Sequence, residues 1–556
     1  MPAWSVVLEP STMNDSVEIY AELLSAIVRL NSFSSIVYLD PEYGKERCHL
    51  ENGLSVIGKG IPLLWWRSID ELKLSSFING QLLVVACLPG VYRLDLLNTI
   101  SSTLRYMRQT KLLIELITNE DVPLVKRVLQ FCLQNQMLNA ALISGSFVHT
   151  HTLYIYDAYP SFLLKRQQFT QDPFNLYADK MLDLHGYRIR TMPDLSEPNT
   201  ILYRDKLGNA RLLGYVWNML EEFARKHNAS LQLIDVVRED KFLSHIQVLD
   251  LARDNLLDIA ASVQPLTLRH LDRYHEYAYP AYMASWCTML PKEPLLGLRE
   301  IYTWMLPAVT LCFLAVLWAL HELLLDRYHR HRRLLGIGWK LLAIMLACNV
   351  HGRLVTLFVA PPAKPPIHSF DALSKSHVRI FGMRSEHNLY DFDLRTRYAQ
   401  AFYLSDKVAE LLWLRNSLNT SYAYTVTHTK WQLYAEQQAY SSRPLFYYSK
   451  NFCFYQYVPF ALVIPENSPH RATLHHFLLQ LSQSGLYMHW VARSFYYMVQ
   501  AGKLQIRDLG QARHVRSLVT EDLHNVLQGY VVGVLISLTL FACELIISRA
   551  RYWLDI

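Results

Sequence analysis

The chain has 556 residues, which exceeds the usual size of one domain and predicts several folded units. It carries 54 Lys and Arg residues against 48 Asp and Glu residues, and 51% of its residues are apolar. This balance excludes a disordered acidic chain, and it gives no support to a strongly basic protein that binds nucleic acid.

Residues 33–160 alternate β-rich runs with helical runs. The β-rich runs are SSIVYLD, QLLVVACL, KLLIELI, NAALIS and TLYIYDAY, and the helical runs are LDLLNTISSTLRYM and VPLVKRVLQFCLQNQM. This alternation predicts an α/β domain with a parallel sheet, which we assign to residues 1–180. No glycine-rich phosphate-binding loop follows the first strand, so a scaffold or assembly role is favoured over a nucleotide site.

Residues 181–300 have the pattern of one lobe of a two-lobed binding protein. A hairpin signal at Leu207-Gly208-Asn209 precedes a helix predicted from Tyr215 to His227, whose apolar residues recur at helical spacing. A strand, a short helix and the strand DIAASV follow. An apolar stretch then interrupts the fold before it can close, so residues 360–525 are expected to supply a linker and a second lobe.

Three stretches reach the ~20 apolar residues that cross a membrane as a helix. They are residues 303–325, 339–359 and 528–548. The basic run DRYHRHRR follows the first stretch, and basic residues also follow the third. Under the positive-inside rule, residues 326–338 and the tail 549–556 are cytosolic, and residues 1–300 and 365–525 lie outside the cell. A nucleic-acid contact is the competing interpretation of the basic run, and a topological anchor is far more common.

Sequence features of the predicted outside regions agree with this topology in part. N-glycosylation triplets begin at Asn14, Asn228 and Asn419. Five of the eight cysteines lie outside the predicted spans without metal-binding spacing, which allows one or two disulfides. The opening MPAWSVVLEPSTMNDS lacks the segments of a secretory signal peptide, so we expect the start of the chain to be incomplete.

Six segments carry a resemblance to a known family. They are LHGYRIRTMPD (184–194), GYVWNMLEEFARKHNASLQL (214–233), DIAASVQPLT (258–267), PPIHSFDAL (365–373), VPFALVIPENSPHR (458–471) and LLQLSQSGLYMHW (478–490). With the order lobe, two spans, lobe and span, they make residues 180–550 resemble the ionotropic glutamate receptor superfamily, and within it the divergent insect chemosensory ionotropic receptors. The resemblance implies a multi-domain α/β membrane protein with a split, periplasmic-binding-protein-like ligand-binding domain and three transmembrane helices.

The resemblance implies a chemosensory ligand-gated cation-channel subunit in the plasma membrane of a sensory neuron. Such a subunit binds a small molecule and works with co-receptor subunits of the same family in a hetero-tetramer, without a cofactor, a metal site or nucleic acid. The second span lines the pore in this family, which places Asn349, His351 and Arg353 at the gate and the proline-rich APPAKPPI in a stiff linker. Alternatively, His351 and Arg353 snorkel to the outer membrane interface.

The ligand is expected to differ from glutamate. Glutamate binding in the family requires a first-lobe arginine for the carboxylate, a nearby threonine and a second-lobe acid for the amine. Thr267 matches the threonine, the arginine position falls between Arg269 and Arg273, and Thr427 stands where the acid belongs. A hydroxyl cannot balance an ammonium group, so another small molecule is expected, an uncharged one being an option.

Only residues 326–338 separate the first two spans, where the family has its re-entrant pore loop. Entering to mid-membrane and returning takes on the order of 20 residues. Three explanations stay open: the subunit uses a filter formed by its partners, it is a non-conducting binding or regulatory subunit, or the sequence lacks a segment. An enzyme is disfavoured because the sequence has no nucleophile elbow, P-loop or metal-spaced histidine pair.

Overall fold

The computed structural model describes residues 15–40, 48–57, 60–68, 71–78, 81–118, 121–170, 175–238, 242–297, 300–301, 316, 319–320, 332–508 and 524–554. In these ranges the α-helices are α1 (Asp15–Leu30), α2 (His49–Ile57), α3 (Leu94–Thr103), α4 (Val122–Gln134), α5 (Phe147–Thr150), α6 (Tyr215–Lys226), α7 (His245–Arg253), α8 (Arg332–Val359), α9 (Phe370–Lys375), α10 (Arg384–His387), α11 (Phe392–Arg397), α12 (Val408–Asn416), α13 (His428–Ala439), α14 (His470–Ser484), α15 (Leu486–Gln500) and α16 (His524–Leu554). Short 3-10 turns occupy Leu74–Ser76, Leu268–Glu276 and Ala399–Ala401.

The strands form two large sheets and two small ones. In chain order they are β1 (Ser35–Leu39), β2 (Leu63–Trp66), β3 (Leu82–Pro89), β4 (Lys111–Ile117), β5 (Ala140–Ser144), β6 (Thr152–Asp157), β7 (Leu163–Gln168), β8 (Arg188–Thr191), β9 (Ile201–Arg204), β10 (Ala210–Leu213), β11 (Ser230–Leu233), β12 (Val263–Pro265), β13 (Tyr277–Pro291), β14 (Arg379–Met383), β15 (Phe402–Ser405), β16 (Tyr422–Thr427) and β17 (Phe446–Val463). The small sheets are the antiparallel pair β9–β10 and the parallel pair β8–β11.

The N-terminal sheet has the order β2-β1-β3-β4-β5-β6-β7. It is parallel from β2 to β5 and antiparallel from β5 to β7. The predicted strands coincide with β1, β3, β4, β5 and β6, and the predicted helices with α3 and α4. The two edge strands were not predicted, because β2 is partly exposed and β7 is polar and exposed, so neither is a buried apolar run.

A buried carboxylate organises the core of this sheet. Glu115 in β4 is fully buried and accepts hydrogen bonds from the backbone N–H groups of His49, at 3.0 Å, and Leu50, at 2.8 Å. The side-chain contact with Glu115 raises the pKa of His49. Glu115 thus caps the start of α2. The Cys48–Cys87 disulfide links the residue before α2 covalently to β3.

The second large sheet has the order β12-β17-β13-β16-β14-β15. Its central strands, β13 and β17, are long and pair with each other in antiparallel orientation. On their outer sides, β13 pairs with β16 and β17 pairs with β12. We call residues 185–284 with 458–491 the β12 end, and residues 286–291 with 367–455 the β15 end. The predicted hairpin before α6 is confirmed as β9–β10, and the strand predicted at residues 258–263 is short and begins at Val263.

The N-terminal sheet is docked on the β12 end through one continuous apolar cluster. Arg105 donates two hydrogen bonds to Glu466, at 2.5 Å and 3.1 Å, and the Tyr106 ring stacks on His275 at 3.7 Å. Helix α14 belongs to this cluster, because Phe477 packs edge-on against Phe223 of α6. Residues 458–491 therefore pack with the β12 end, although the sequence predicted them to belong to the second lobe.

Within the described ranges, two helices are long and apolar enough to cross a membrane. The candidate spans are Gly336–Leu357 in α8 and Leu527–Ile547 in α16, and the most apolar stretch of each has no buried residue. They coincide with the predicted spans 339–359 and 528–548. The predicted span 303–325 lies almost wholly outside the described residues.

Helix bounds differ from the predicted cytosolic segments. Helix α8 begins at Arg332, so the second half of the predicted segment 326–338 is helical, and residues 326–331 lie outside the described residues. Helix α16 continues to Leu554, so most of the predicted tail 549–556 is helical too. Basic residues do not end a helix, and a membrane-spanning helix can continue beyond the bilayer, so a helical conformation of these residues is compatible with a cytosolic position.

Replacing Glu115 is expected to destabilise the N-terminal sheet. Glu115→Gln removes the charge that accepts two backbone N–H groups in a buried site, which should cost about 2 kcal/mol. Thermal unfolding of the purified full chain measures the change as a lower Tm. Glu22→Gln, on the exposed face of α1, is the control and should leave Tm unchanged. An unchanged Tm in Glu115→Gln would contradict the capping role.

Acid is expected to weaken the junction between the N-terminal sheet and the β12 end. Burial lowers the pKa of His470 to about 4, and its ring lies between Tyr159 and Phe223. The charged groups that act on it are Asp258, Arg190 and His227. Because the unfolded pKa is near 6.5, the unfolded chain binds more protons between pH 6.5 and 4, and stability falls as the pH falls through that window.

Across this pH window, His470 should lower the free energy of unfolding by about 3 kcal/mol. We expect His470→Leu to flatten the decline of Tm between pH 6.5 and 4, measured against the parent chain. His149→Leu, at an exposed position, should keep the parent's decline. Identical pH profiles for His470→Leu and the parent would refute the assignment.

Candidate functional site

A cavity of about 340 Å³ lies between the β12 end and the β15 end. This volume is within the range of small-molecule sites. The charged and hydroxyl groups that line it include Asp194, Ser196 and Ser262 from the β12 end and Glu386, Arg415 and Lys430 from the β15 end. Aromatic and aliphatic side chains form the rest of the wall.

Asp194 is the buried acid on the β12 side of the cavity. Its Oδ1 accepts hydrogen bonds from the Ser196 N–H, at 2.9 Å, and the Thr200 hydroxyl, at 3.1 Å, while its Oδ2 accepts from Ser262 at 2.6 Å. Burial raises the pKa of Asp194. Both carboxylate oxygens are thus occupied by donors of the same end.

Two cations come from the β15 end. Arg415, on α12, is 4% exposed and lies 5.6 Å from the Tyr434 ring centroid. Lys430, on α13, donates a hydrogen bond to Ser196 across the cavity at 2.7 Å. Burial, and then the charge of Arg415, lower the pKa of Lys430 to about 8. The two positive charges therefore share one buried environment.

A second contact joins the two ends beside the cavity. Glu197 is 5% exposed and accepts a hydrogen bond from the Asn416 amide at 2.8 Å. The Lys503 ammonium lies 3.9 Å from the other Glu197 oxygen, and Asn416 accepts a hydrogen bond from the Tyr434 hydroxyl. With the Lys430–Ser196 bond, these contacts join the two ends across the cavity in the closed arrangement.

The predicted ligand residues are only partly at this cavity. Thr427 lines it, and its hydroxyl accepts a hydrogen bond from the Lys430 N–H as the N-cap of α13. Thr267 is buried and begins the Leu268–Glu276 turn, and it is not among the residues that line the cavity. Arg273 is exposed on that turn, and the side chain of Arg269 lies outside the described residues.

The predicted gate residues lie on α8, where Asn349, His351 and Arg353 are exposed. At 3.6 residues per turn, Asn349 and Arg353 lie on one face of the helix, whereas His351 points to the opposite face. One pore axis can therefore meet Asn349 and Arg353 together, but not all three residues.

The predicted glycosylation sites differ in accessibility. Asn228 is exposed next to α6, where its amide donates a hydrogen bond to Asp183 at 2.9 Å. Asn419 is partly buried, and its side-chain oxygen accepts from the Ser421 N–H. Asn14 lies outside the described residues.

The sequence analysis missed the charged groups of the cavity. Asp194 ends the segment LHGYRIRTMPD, Lys430 lies three residues after Thr427, and Arg415 ends the apolar run AELLWLR. A cation at the end of a buried helical run was the available signal for Arg415. Asp194 lies more than 200 positions before Arg415 and Lys430, and no spacing rule brings it together with them.

A scan against models of known protein families finds no match to the chain, and a search of curated proteins finds no significant match. The features of the chain that bear on its function are therefore the cavity, the order of its segments and the apolar helices.

Removing Glu197 is expected to loosen the closed cavity. Glu197→Ala leaves the buried Asn416 amide without its acceptor, which costs about 1–3 kcal/mol. Hydrogen–deuterium exchange should become faster in the backbone around residues 194–200. Glu436→Ala, on the exposed face of α13, is the control and should exchange like the parent. Unchanged exchange around the cavity would show that Glu197 does not hold the two ends together.

Proposed function

We propose that the protein is a chemosensory ligand-gated cation-channel subunit of the ionotropic receptor type in the plasma membrane. In this proposal the β12 end and the β15 end are the two lobes of a split ligand-binding domain. The observation that carries it is chain order: the β12 end is built mainly before the predicted span 303–325, the β15 end mainly between α8 and α16, and the cavity lies where they meet.

The segments next to the membrane helices are paired, which supports coupling. Leu295 and Ala363 form an antiparallel bridge, and the Leu296 N–H donates to the Pro362 carbonyl at 2.9 Å. The Lys364 ammonium lies 2.6 Å from Glu300 and lowers the pKa of that carboxylate. A movement of the β15 end can therefore reach α8 through a short, hydrogen-bonded linker.

Ligand binding would act by shifting the equilibrium between open and closed lobes. A ligand that contacts both ends favours the closed state in proportion to its difference in affinity for the two states. In our proposal closure pulls on the proline-rich linker and moves α8, on which Asn349 and Arg353 share a face. This face is the proposed lining of the ion pathway.

Partner subunits are part of the proposal. Only residues 326–331 separate the predicted span 303–325 from the start of α8, too few for a loop that enters the membrane and returns. Co-receptor subunits would then supply the selectivity filter of a hetero-tetramer. The Cys48–Cys87 and Cys287–Cys453 disulfides support an extracellular position for both sheets.

The short connection also favours a second candidate function. A binding or regulatory subunit that does not conduct would close around its ligand and report to a partner without contributing to the pore. It would use the same cavity and the same linker. The two candidates differ in whether α8 contacts permeating ions.

Current recordings with co-receptor subunits test the proposal. We expect a stimulus-evoked cation current that requires this subunit, and a shifted reversal potential in Arg353→Gln, because a charge would be removed from the pathway. Lys340→Gln, at an exposed position near the other end of α8, is the control. A reversal potential that is unchanged in Arg353→Gln would favour the regulatory subunit. A stimulus-evoked current that does not require this subunit would refute both candidates.

A further inference from the structure

We propose that the cavity binds a small monocarboxylate with an apolar body, whose carboxylate is held by Arg415 and Lys430. The inference rests on the proposed function in one respect, namely that this cavity is the ligand site. It assigns the chemical class of the ligand, which the proposed function leaves open.

Arg415 and Lys430 are two buried cations without a matching carboxylate. Neither Arg415 nor Lys430 forms an ion pair with a carboxylate in the part of the chain that the structure describes. The Arg415 Nε has no hydrogen-bond partner there, and its Nη1 is 3.5 Å from the Thr425 carbonyl, at the limit of a hydrogen bond. Buried charges are normally paired, so an anion between these two groups is the missing partner.

The acids of the cavity do not fill this role. Asp194 receives three hydrogen bonds from its own end, so its oxygens are already occupied. Glu386 accepts from the Thr425 hydroxyl at 3.4 Å and does not form an ion pair with Arg415. Asp406, which also lines the cavity, pairs with Arg384 at 3.3 Å. Among the described lining residues, the buried polar atom without a hydrogen-bond partner is the Arg415 Nε, a donor that an acceptor group of a ligand would satisfy.

The geometry favours a carboxylate as the acceptor group. The planar guanidinium of Arg415 offers parallel N–H groups that match two carboxylate oxygens, and Lys430 adds a charge from a second direction. A zwitterionic amino acid fits less well, because Asp194 is occupied and Thr427 caps α13 where an acid would receive the amine.

The walls of the cavity specify an apolar body. Beyond the charged groups, the lining contains Phe242, Trp286, Met383, Leu389, Val408 and Phe460. The volume of about 340 Å³ is that of roughly ten water molecules, so a short acyl chain or one aromatic ring fits. Inorganic anions would satisfy the cations but leave this surface without contacts.

The test is ligand-induced stabilisation of the purified full chain in detergent. The probes are straight-chain carboxylates of two to ten carbons and benzoate, each paired with its neutral amide, together with inorganic phosphate. We expect saturable increases in Tm with the longer carboxylates and benzoate, and none with the amides or phosphate. Arg415→Gln should weaken the apparent affinity at least tenfold, because it removes a charge-assisted hydrogen bond.

A control variant and an alternative variant accompany Arg415→Gln. Arg493→Gln, at an exposed position on α15, should bind like the parent. If Arg415→Gln does not fold, Lys430→Gln carries the test, since the same carboxylate contacts it. Equal stabilisation by acids and amides, stabilisation by phosphate alone, or no response to any acid would overturn the inference. Carboxylate binding without current would overturn only the channel function, and current without carboxylate binding only this inference.

Discussion

Two long antiparallel strands, Tyr277–Pro291 and Phe446–Val463, hold the two ends of the second sheet together. Each strand pairs within the β12 end at one extremity and within the β15 end at the other. Register shifts lie near the middle, around Trp286 and Cys287, where a disulfide to Cys453 joins the strands. The cavity exists because two strands connect the ends at this point and leave the surfaces beside them free to face each other.

This constraint decides which residues meet in the cavity. The loop after β8 brings Asp194 and Glu197 from the β12 end, while α12 and α13 bring Arg415 and Lys430 from the β15 end. Asp194 on one side is satisfied by backbone and hydroxyl donors of its own end, whereas on the other side the Arg415 Nε has no hydrogen-bond partner among the described residues. This difference favours a small anion as the ligand, because an uncharged ligand would leave the buried positive charges of Arg415 and Lys430 without a counter-charge.

The elements with a local signal could be predicted from the sequence, and those that depend on distant partners could not. The buried runs KLLIELI and QLLVVACL predicted their strands, and residues 339–359 and 528–548 predicted the two apolar helices. The return of α14 to the β12 end depends on Phe223, some 250 positions earlier, and no periodicity encodes it. Thr427 was placed at the cavity by resemblance, whereas Arg415 carries a charge inside an apolar run and needed the fold to locate it.

The central claim is that the two ends close around an anion. Its most direct measurement is a pulsed electron–electron distance between spin labels at Arg225, exposed on α6, and Lys407, exposed before α12. The labelled cysteines would be placed in a chain whose Cys312, Cys348 and Cys543 are replaced by serine, with the buried Cys132 retained. The account predicts a broad distance distribution without ligand that narrows to the closed separation with benzoate or octanoate, but not with their amides. A distribution that no carboxylate changes would contradict it.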